Sequence, residues 1–352
     1  MSALENPDPE AVGWKAIDAA LAQIHGEKEP PFHFAAVPPY ALGGEDPLQG
    51  ISVYERDQPV PHWHFVTYGF SELYDKESDD LAVSGFGFEL TFRLAMQEEE
   101  PPFWALHLLQ NLARYVFQTG NVFEAGHYLD CNGPIALGQT TDIRALLFAA
   151  EPELREMDTS NGKVQFLQVV GITLDELLQI KKWNASGFLK ILGEQVPFLI
   201  TDLSRPSILR SKRVQLTVGQ LAEGEGSNTE VIFVGEASYT LQKAGKVRVI
   251  FGAKGVMDLK EILLARLKFS RPFQVASSQA CIVFSPGSAI NWRKGTDGEL
   301  EIRLPLQEAE QLANLLQPRV GEYVLPGVSD LTFEVRTTEI KDQEGNIVQV
   351  IG

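Results

Sequence analysis

The stretch GFGFELTFRL, residues Gly85 to Leu94, decides the fold of the N-terminal half of the chain. Its large apolar residues occupy every second position, and glycine or polar residues lie between them. Because successive side chains of a β-strand point to opposite faces, this period of two predicts a strand with one face in a core. We therefore expect a central sheet whose other face is polar or closely packed.

Two amphipathic helices are predicted on either side of this strand in sequence. The first follows a capping residue, Asp8, and Pro9, and it carries an apolar stripe that ends before Gly26. The second follows Pro101-Pro102 and ends before Gly120, with a stripe formed by Trp104, Leu108, Leu109, Leu112 and Val116. Each stripe is wide enough to cover one face of a sheet.

Further elements complete the N-terminal half. Residues 51–54, 62–70, 164–170 and 197–201 are apolar runs bounded by turn residues, and we predict a strand in each. Thr173 and Glu176 have the spacing of a capping box, which predicts a helix from there to about Lys182.

Beyond residues 204–212 the pattern changes to short β-rich runs, among them residues 231–234, 246–251, 280–284 and 331–336. Residues 257–267 fit helix and strand equally well, whereas residues 306–316 predict a helix. We expect an α+β protein with an N-terminal mixed sheet covered by helices, residues 1–205, and a smaller β-rich C-terminal domain, residues 206–352.

Composition excludes several classes of protein. The chain has 352 residues and a formal net charge of -17, which repels nucleic acid phosphates and anionic membranes. The acidity favours a basic partner, although solubility alone also explains it. Its two cysteines, Cys131 and Cys281, have no spacing typical of a disulfide framework or a zinc site. The N-terminus lacks the pattern of a signal peptide, and we expect a cytoplasmic protein.

The sequence offers few candidates for catalysis. Phosphate-binding loops, nucleophile elbows and HExxH helices are all absent from it. The strongest candidate is His62-Trp63-His64, because two imidazoles two residues apart on a strand share a face and could bind a metal. A metal-dependent enzyme that uses His62 and His64 is therefore the alternative hypothesis, although core histidines with ordinary hydrogen-bond partners explain the pattern as well.

Several strings of the N-terminal half resemble the Suppressor of fused family and occur in the family's order. They are LGGEDPL (residues 42–48), HWH (62–64), GFSELY (69–74), SGFGFELTFRL (84–94), LARYVFQ (112–118), FLQVVG (166–171), WN (183–184) and LITD (199–202). The chain lacks the long polar insertion of animal members, so it resembles the compact bacterial branch of the family. In the C-terminal half the similarity is weaker.

The resemblance implies a protein-binding function. Animal members bind a transcription-factor peptide as an added β-strand in a cleft between their two domains, and bacterial members resemble immunity proteins that neutralise a toxin. The segment that lines the cleft corresponds here to Tyr115 and to Phe123, Glu124, Ala125, Gly126 and His127. His127 stands where the family has an acidic residue, so we expect a different ligand from that of animal members.

The leading hypothesis is thus a two-domain, acidic protein-binding module, an immunity-type or sequestering protein. Its expected partner is another protein, either a basic toxin or a peptide segment, with no nucleic acid and no membrane involved. We expect no catalytic residues, no metal and no cofactor. For Tyr115 and Phe123, core packing is as good an explanation as partner contact.

Overall fold

A computed structural model describes residues 11–27, 29–38, 40–242, 245–341 and 346–352. The chain divides into two compact units, Met1–Leu177 with Leu189–Ile208, and Leu178–Phe188 with Leu209–Gly352. The short stretch Leu178–Phe188 packs with the second unit even though part of the first unit follows it in sequence. The division into domains 1–205 and 206–352 stays a prediction.

The described residues form helices and strands along the whole chain. The helices are α1 (Val12–His25), α2 (Phe103–Thr119), α3 (Leu174–Lys182), α4 (Ala185–Gln195), α5 (Lys212–Glu225), α6 (Ala253–Leu267) and α7 (Leu306–Leu315). The strands of the first unit are β1 (Phe32–Ala35), β2 (Gly50–Arg56), β3 (His62–Tyr68), β4 (Val83–Ala95), β5 (Tyr128–Asp130), β6 (Ile143–Ala150), β7 (Met157–Thr159) and β8 (Gly162–Thr173).

One mixed sheet of eight strands organises the first unit, in the order β1-β2-β3-β4-β8-β6-β5, with β7 paired to β8. Strand β4 lies at its centre, antiparallel to β3 and parallel to β8. Strands β1 and β5 close its two ends. The expected α+β fold with a helix-covered mixed sheet is confirmed.

The two faces of this sheet carry different helices. The apolar stripe of α2 packs on the face that holds Phe88, Leu90, Phe92 and Leu94 of β4, in one large core. Helix α1 packs on the opposite face, against a smaller cluster that includes Tyr54, Val66 and Tyr68. The predicted start of α1 at Asp8 lies outside the described residues, while its end at Gly26 is confirmed.

The second face of β4 is polar and is nevertheless buried. Glu89, Thr91 and Arg93 are all 0 % exposed, because β4 has a strand on each side and a layer on each face. A buried charge must be paired or hydrogen-bonded to be tolerated. Glu89 and Arg93 have such partners and organise the polar clusters of the first unit described below, whereas the Thr91 hydroxyl has no hydrogen-bond partner among the described residues.

The described part of the second unit has two larger sheets that pack with helix α6 and one two-stranded sheet. Its strands are β9 (Val231–Phe233), β10 (Ala237–Leu241), β11 (Val247–Gly252), β12 (Phe273–Ala276), β13 (Cys281–Pro286), β14 (Asn291–Lys294), β15 (Leu300–Leu304), β16 (Gly321–Val324), β17 (Leu331–Arg336), β18 (Thr338–Lys341) and β19 (Ile347–Ile351). The sheets have the orders β10-β11-β17-β16 and β14-β15-β13-β12-β9, and β18 pairs with β19. Apolar residues of both sheets, α6 and α7 share one core, which confirms the expected β-rich C-terminal half.

One predicted element is wrong, and one ambiguous segment is resolved. Residues 197–201 do not form a strand: Pro197–Leu199 is a short 3-10 helix, and both Phe198 and Leu199 have positive φ angles. The side-chain amide of Gln168 donates to the carbonyls of both residues, at 2.9 and 3.1 Å, and holds this turn in place. The ambiguous residues 257–267 belong to helix α6.

Within the described ranges, every helix is too short or too polar to cross a membrane.

Candidate functional site

An aromatic stack lies at the β5 end of the large sheet. Tyr115, near the end of α2, stacks on Phe123 with ring centroids 5.7 Å apart, and Phe123 stacks in turn on Phe148 of β6 at 4.1 Å. Gly120 ends α2 in the left-handed conformation and donates its N–H to the carbonyl of Val116. This reversal brings Phe123 back beneath Tyr115, so the stack follows from how the helix ends.

The stack has a buried base and an exposed top. Phe123 is 7 % exposed and belongs to the large core, whereas Tyr115 is 42 % exposed. Tyr115 is therefore an aromatic side chain that is held rigidly from below while part of it stays accessible. Its hydroxyl accepts a hydrogen bond from the amide of Asn121 at 3.2 Å, which also fixes its direction.

Residues Glu124 to His127 form a turn that leads into β5. The His127 N–H donates to the Glu124 carbonyl at 3.0 Å, and the Gly126 N–H donates to the carbonyl of Phe148 at 2.7 Å. The N–H of Phe148 donates back to the His127 carbonyl at 2.9 Å. The C-terminal end of the turn is thus tied to Phe148 of β6 by two hydrogen bonds, which fix its position on the sheet.

The His127 side chain presents a hydrogen-bond donor. The backbone N–H of Glu124 donates to His127 Nδ1 at 3.2 Å, so this nitrogen must act as an acceptor. In the neutral imidazole the proton then lies on Nε2. A carboxylate offers acceptors only, so His127 gives this position a donor that Asp or Glu would lack.

The structure brings all six predicted partner-binding residues into this one region. Tyr115, Glu124, Ala125 and His127 are exposed, Gly126 is half-buried and Phe123 is buried. Two further exposed apolar residues, Val122 and Leu129, lie next to this segment in sequence and were not predicted. A period-two search could not find them, because Val122 precedes the turn and β5 has only three residues.

A buried charge cluster lies on the other face of the sheet, around Arg93. Its Nε donates to Glu151 at 2.9 Å, and its guanidinium also pairs with Glu153 at 2.6 Å. Glu153 pairs in addition with Arg56 at 3.0 Å. The second oxygen of Glu151 accepts the N–H groups of Glu153 and Leu154, both at 2.6 Å. Each charge of the cluster therefore has an opposite charge beside it.

His62 and His64 belong to this cluster and share a face of β3, as the sequence predicted. His62 donates from Nδ1 to the carbonyl of Val60 at 2.7 Å, and its Nε2 accepts a bond from Arg93 at 3.2 Å. His64 Nδ1 shares a hydrogen bond with His25 of α1 at 3.1 Å. Burial lowers the pKa of both strand histidines, and the positive charge of Arg93 acts in the same direction.

This arrangement does not suit a metal ion. Both nitrogens of His62 are engaged, and the Arg93 guanidinium, which donates to His62 Nε2, would repel a cation there. In the part of the chain that the structure describes, no three His, Cys, Asp or Glu side chains are grouped to hold a metal. The two histidines instead link α1 and β3 to the charge cluster.

Glu89 is a second buried acid that the sequence did not single out. One of its oxygens accepts the N–H groups of Gly69 and Ser71, at 3.0 and 2.9 Å, and the Ser71 hydroxyl at 2.6 Å. The other oxygen accepts the Thr67 hydroxyl at 2.7 Å. Burial outweighs these bonds and raises the pKa of Glu89 to about 7. Glu89 thus organises residues 69–71 after strand β3.

Comparisons with known proteins agree with this architecture. The human and mouse Suppressor of fused homologs are each 35 % identical over 234 residues, which is 61 % of this chain and 48 % of theirs. The chain therefore spans about half the length of the curated relatives it matches. The crystal structure of Drosophila Suppressor of Fused superposes with a TM-score of 0.73 at 22 % identity, covering 93 % of this chain and 97 % of that one.

A second solved structure is closer in sequence. A chain in the Sufu-Fu complex crystal structure is 32 % identical, with a TM-score of 0.56, and the match covers 60 % of this chain and 98 % of that chain. These similarities agree with the fold class of the chain, which is an α+β protein built on a large mixed sheet with a β-rich second unit. The chain belongs to the Suppressor of fused family, whose model, described as Suppressor of fused protein (SUFU), matches residues 44–206.

Proposed function

We propose that this chain is a protein-binding module that captures an extended segment of a partner protein beside Tyr115 and the turn at residues 124–127. Support comes from the family, one of whose solved structures is a Sufu-Fu complex. The proposed mode is β-strand addition, in which backbone hydrogen bonds supply affinity and side-chain contacts supply selectivity. That the segment lies in a cleft between two domains is implied only by the family resemblance and stays a prediction.

The observation that carries the proposal is the half-exposed Tyr115 stacked on the buried Phe123. A rigid aromatic side chain with one accessible face is typical of the residues that dominate binding energy at protein interfaces. Because Phe123 and Phe148 already fix the stack, binding costs little side-chain entropy at Tyr115. Val122 and Leu129 add exposed apolar surface on either side of the turn in sequence.

The chemistry of the site indicates what the partner offers. The Nε2 proton of His127 favours a carbonyl or carboxylate oxygen opposite it. The net charge of -17 favours a partner that is basic overall and makes association faster at low salt. We propose that binding sequesters the partner, and an immunity-type role against a basic toxin is the specific form that we favour.

We assign no reaction to the chain. The alternative, a metal-dependent enzyme, depends on His62 and His64, whose nitrogens bond to Val60, Arg93 and His25. Although His64 Nε2 has no hydrogen-bond partner among the described residues, a buried histidine–arginine–glutamate cluster of this kind is typical of a structural role. The proposal therefore concerns binding alone.

A peptide-display selection tests the proposal and does not require the partner to be identified first. Random peptides are selected against the wild-type protein, and the enriched peptides are titrated against wild type and Tyr115→Asp. Since Tyr115 is partly exposed, the charge should leave the fold intact and weaken binding by about ten-fold or more. Leu81→Asp, at a residue 80 % exposed in another loop of the same unit, is the matched control and should bind like wild type.

A second variant tests the role of His127. His127→Glu exchanges the donor for acceptors, so peptides selected against it should carry basic residues where those selected against wild type carry acceptors. Selection of the same peptides by both proteins would contradict the assigned role of His127. Equal affinity of wild type and Tyr115→Asp for the selected peptides would contradict the proposed site.

A further inference from the structure

Strand β1, at the end of the sheet opposite to β5, has an unpaired edge in the described part of the chain. It pairs with β2 alone, from Phe32 opposite Val53 to Ala35 opposite Gly50. An edge strand presents a row of backbone donors and acceptors that can pair with another strand. This edge is distinct from the region of Tyr115, which lies at the β5 end.

The register identifies which backbone groups of β1 face outward. The Ala36 N–H donates to the Gln49 carbonyl at 3.4 Å, in the same register that sets Phe34 opposite Ile51. In an antiparallel pair, residues alternate between those that bond to the partner strand and those whose N–H and C=O point away. Phe32, Phe34 and Ala36 therefore bond to β2, and the peptide groups of His33 and Ala35 point outward.

An apolar shelf formed by Phe34 and Phe103 borders this edge. The two rings meet edge to face at 6.0 Å, and Phe103, the first residue of α2, is 66 % exposed. A strand added beside β1 would place every second side chain on the face of the sheet that α2 covers, next to Phe34 and Phe103. The edge therefore offers backbone pairing and an apolar contact to the same occupant.

The charges of the segments that precede β1 and α2 in sequence favour a basic occupant. Residues 27–29, which lead into β1, and residues 98–100, which lead into α2, contain five glutamates and one lysine. Native proteins commonly protect an edge strand with lysine or proline, or with a bulge. Here Pro30 and Pro31 precede β1, but no lysine lies within it.

We propose that β1 is a second docking edge, which binds a basic, extended segment of a partner protein by antiparallel or parallel strand addition. The segment carries apolar side chains at alternate positions, which cover Phe34 and Phe103, and lysine or arginine at the positions between them. A second copy of this chain is the less suitable occupant, because its net charge of -17 would repel the acidic segments beside the edge. The proposal does not depend on the binding site at Tyr115.

The probe is a short, capped peptide of alternating lysine and valine, N-methylated on one edge so that it cannot assemble with itself. Ala35→Pro removes one outward N–H and leaves the β1–β2 ladder intact, because Ala35 does not bond to β2. Phe103→Glu puts a charge on the shelf. The peptide should bind wild type and bind each variant about ten-fold or more weakly. Ala35→Ser and Leu81→Glu, as matched controls, should bind it like wild type.

Other outcomes would overturn the proposal. These are no saturable binding to wild type, equal binding to Ala35→Pro, or equal binding of the same peptide with glutamate in place of lysine. Slow amide exchange of Ala35 in the free protein would show that the chain covers its own edge. A dimer that Ala35→Pro converts to monomer would assign the edge to a second copy. Tyr115→Asp should leave peptide binding unchanged, so failure here and failure at Tyr115 are distinguishable.

Discussion

Two buried charged residues of β4, Arg93 and Glu89, have specific partners that explain their placement. Arg93 is neutralised by Glu151 and Glu153, and Glu89 is satisfied by two hydroxyls and two backbone N–H groups. The alternation in residues 85–94 correctly predicts that both lie opposite the apolar face. It could not predict their burial, because Glu151 lies 58 residues beyond Arg93 and joins it only through the sheet.

At the candidate site, too, the sequence pattern could not predict which side chains are buried. The sequence left open whether Tyr115 and Phe123 pack in the core or contact a partner. The structure buries Phe123 against Phe148 of β6 and leaves Tyr115 partly exposed, a difference that depends on a contact 25 residues along the chain. The spacing of apolar residues near Tyr115 and Phe123 cannot predict a contact with a residue so far along the chain.

Glu89 predicts a measurable dependence of stability on pH. Its pKa is about 7 in the folded protein and 4.5 ordinarily, so the folded state holds this proton more tightly. This proton binding adds about 3 kcal/mol to the free energy of unfolding below pH 4.5, and the added stability is lost as the pH rises to about 7. In Glu89→Gln, which does not titrate, this contribution is absent. Urea unfolding should therefore show wild type losing stability relative to Glu89→Gln between pH 5 and 8. A constant difference between the two proteins would contradict the assigned pKa.

At the scale of elements, helix ends and strand periods are predicted well where the cause is local. Gly26 and Gly120 end α1 and α2 as expected, and both helices lie on the sheet. Thr173 and Glu176 form half of the predicted capping box: Glu176 accepts the Thr173 N–H at 2.9 Å, while the Thr173 hydroxyl bonds to Asp175 instead. The strand predicted at residues 197–201 does not form, although the composition of this segment favours one. Hydrogen bonds from the side chain of Gln168 in β8 to the carbonyls of Phe198 and Leu199 hold the segment in a turn.

The sequence predicts that the second face of β4 is polar or closely packed, and Gly85 does lie against a close neighbour. It has a φ of +56°, and a Cβ atom there would lie 2.6 Å from the carbonyl oxygen of Phe70, which accepts the Phe86 N–H at 2.9 Å. Gly87 differs, because a Cβ there would meet only the Val83 side chain within its own strand, at 2.7 Å. Close backbone approach therefore explains Gly85, and the positive φ of +82° explains Gly87.

Gly85→Ala tests the close approach against a matched control. Gly120 has a similar φ of +71° with no atom within 4 Å of an added Cβ, so Gly120→Ala measures the backbone strain alone. We expect Gly120→Ala to cost about 1 kcal/mol. Gly85→Ala should cost about 3 kcal/mol or more, because the Phe70 carbonyl must also move. Equal losses of unfolding free energy in the two variants would show that strain, and not the clash, governs Gly85.

At the scale of the whole molecule, the family assignment and the geometry of the first unit support the same account. The family model covers residues 44–206, which include β4, α2 and the turn at residues 124–127. The sequence correctly predicted the α+β class and the family, because both depend on local strings and periods. The identity of the partner depends on surface chemistry that neither the fold nor the family assignment specifies, and it therefore stays a proposal.

The most direct test of the central claim is hydrogen exchange of the protein with and without a peptide selected against it. If the peptide binds beside Tyr115, amides of residues 124–130 should exchange more slowly when it is present, because they gain hydrogen bonds and lose solvent. Tyr115→Asp should abolish this protection, and residues 32–35 of β1 should exchange at the same rate throughout. If none of the selected peptides slowed exchange at residues 124–130, the account would be contradicted.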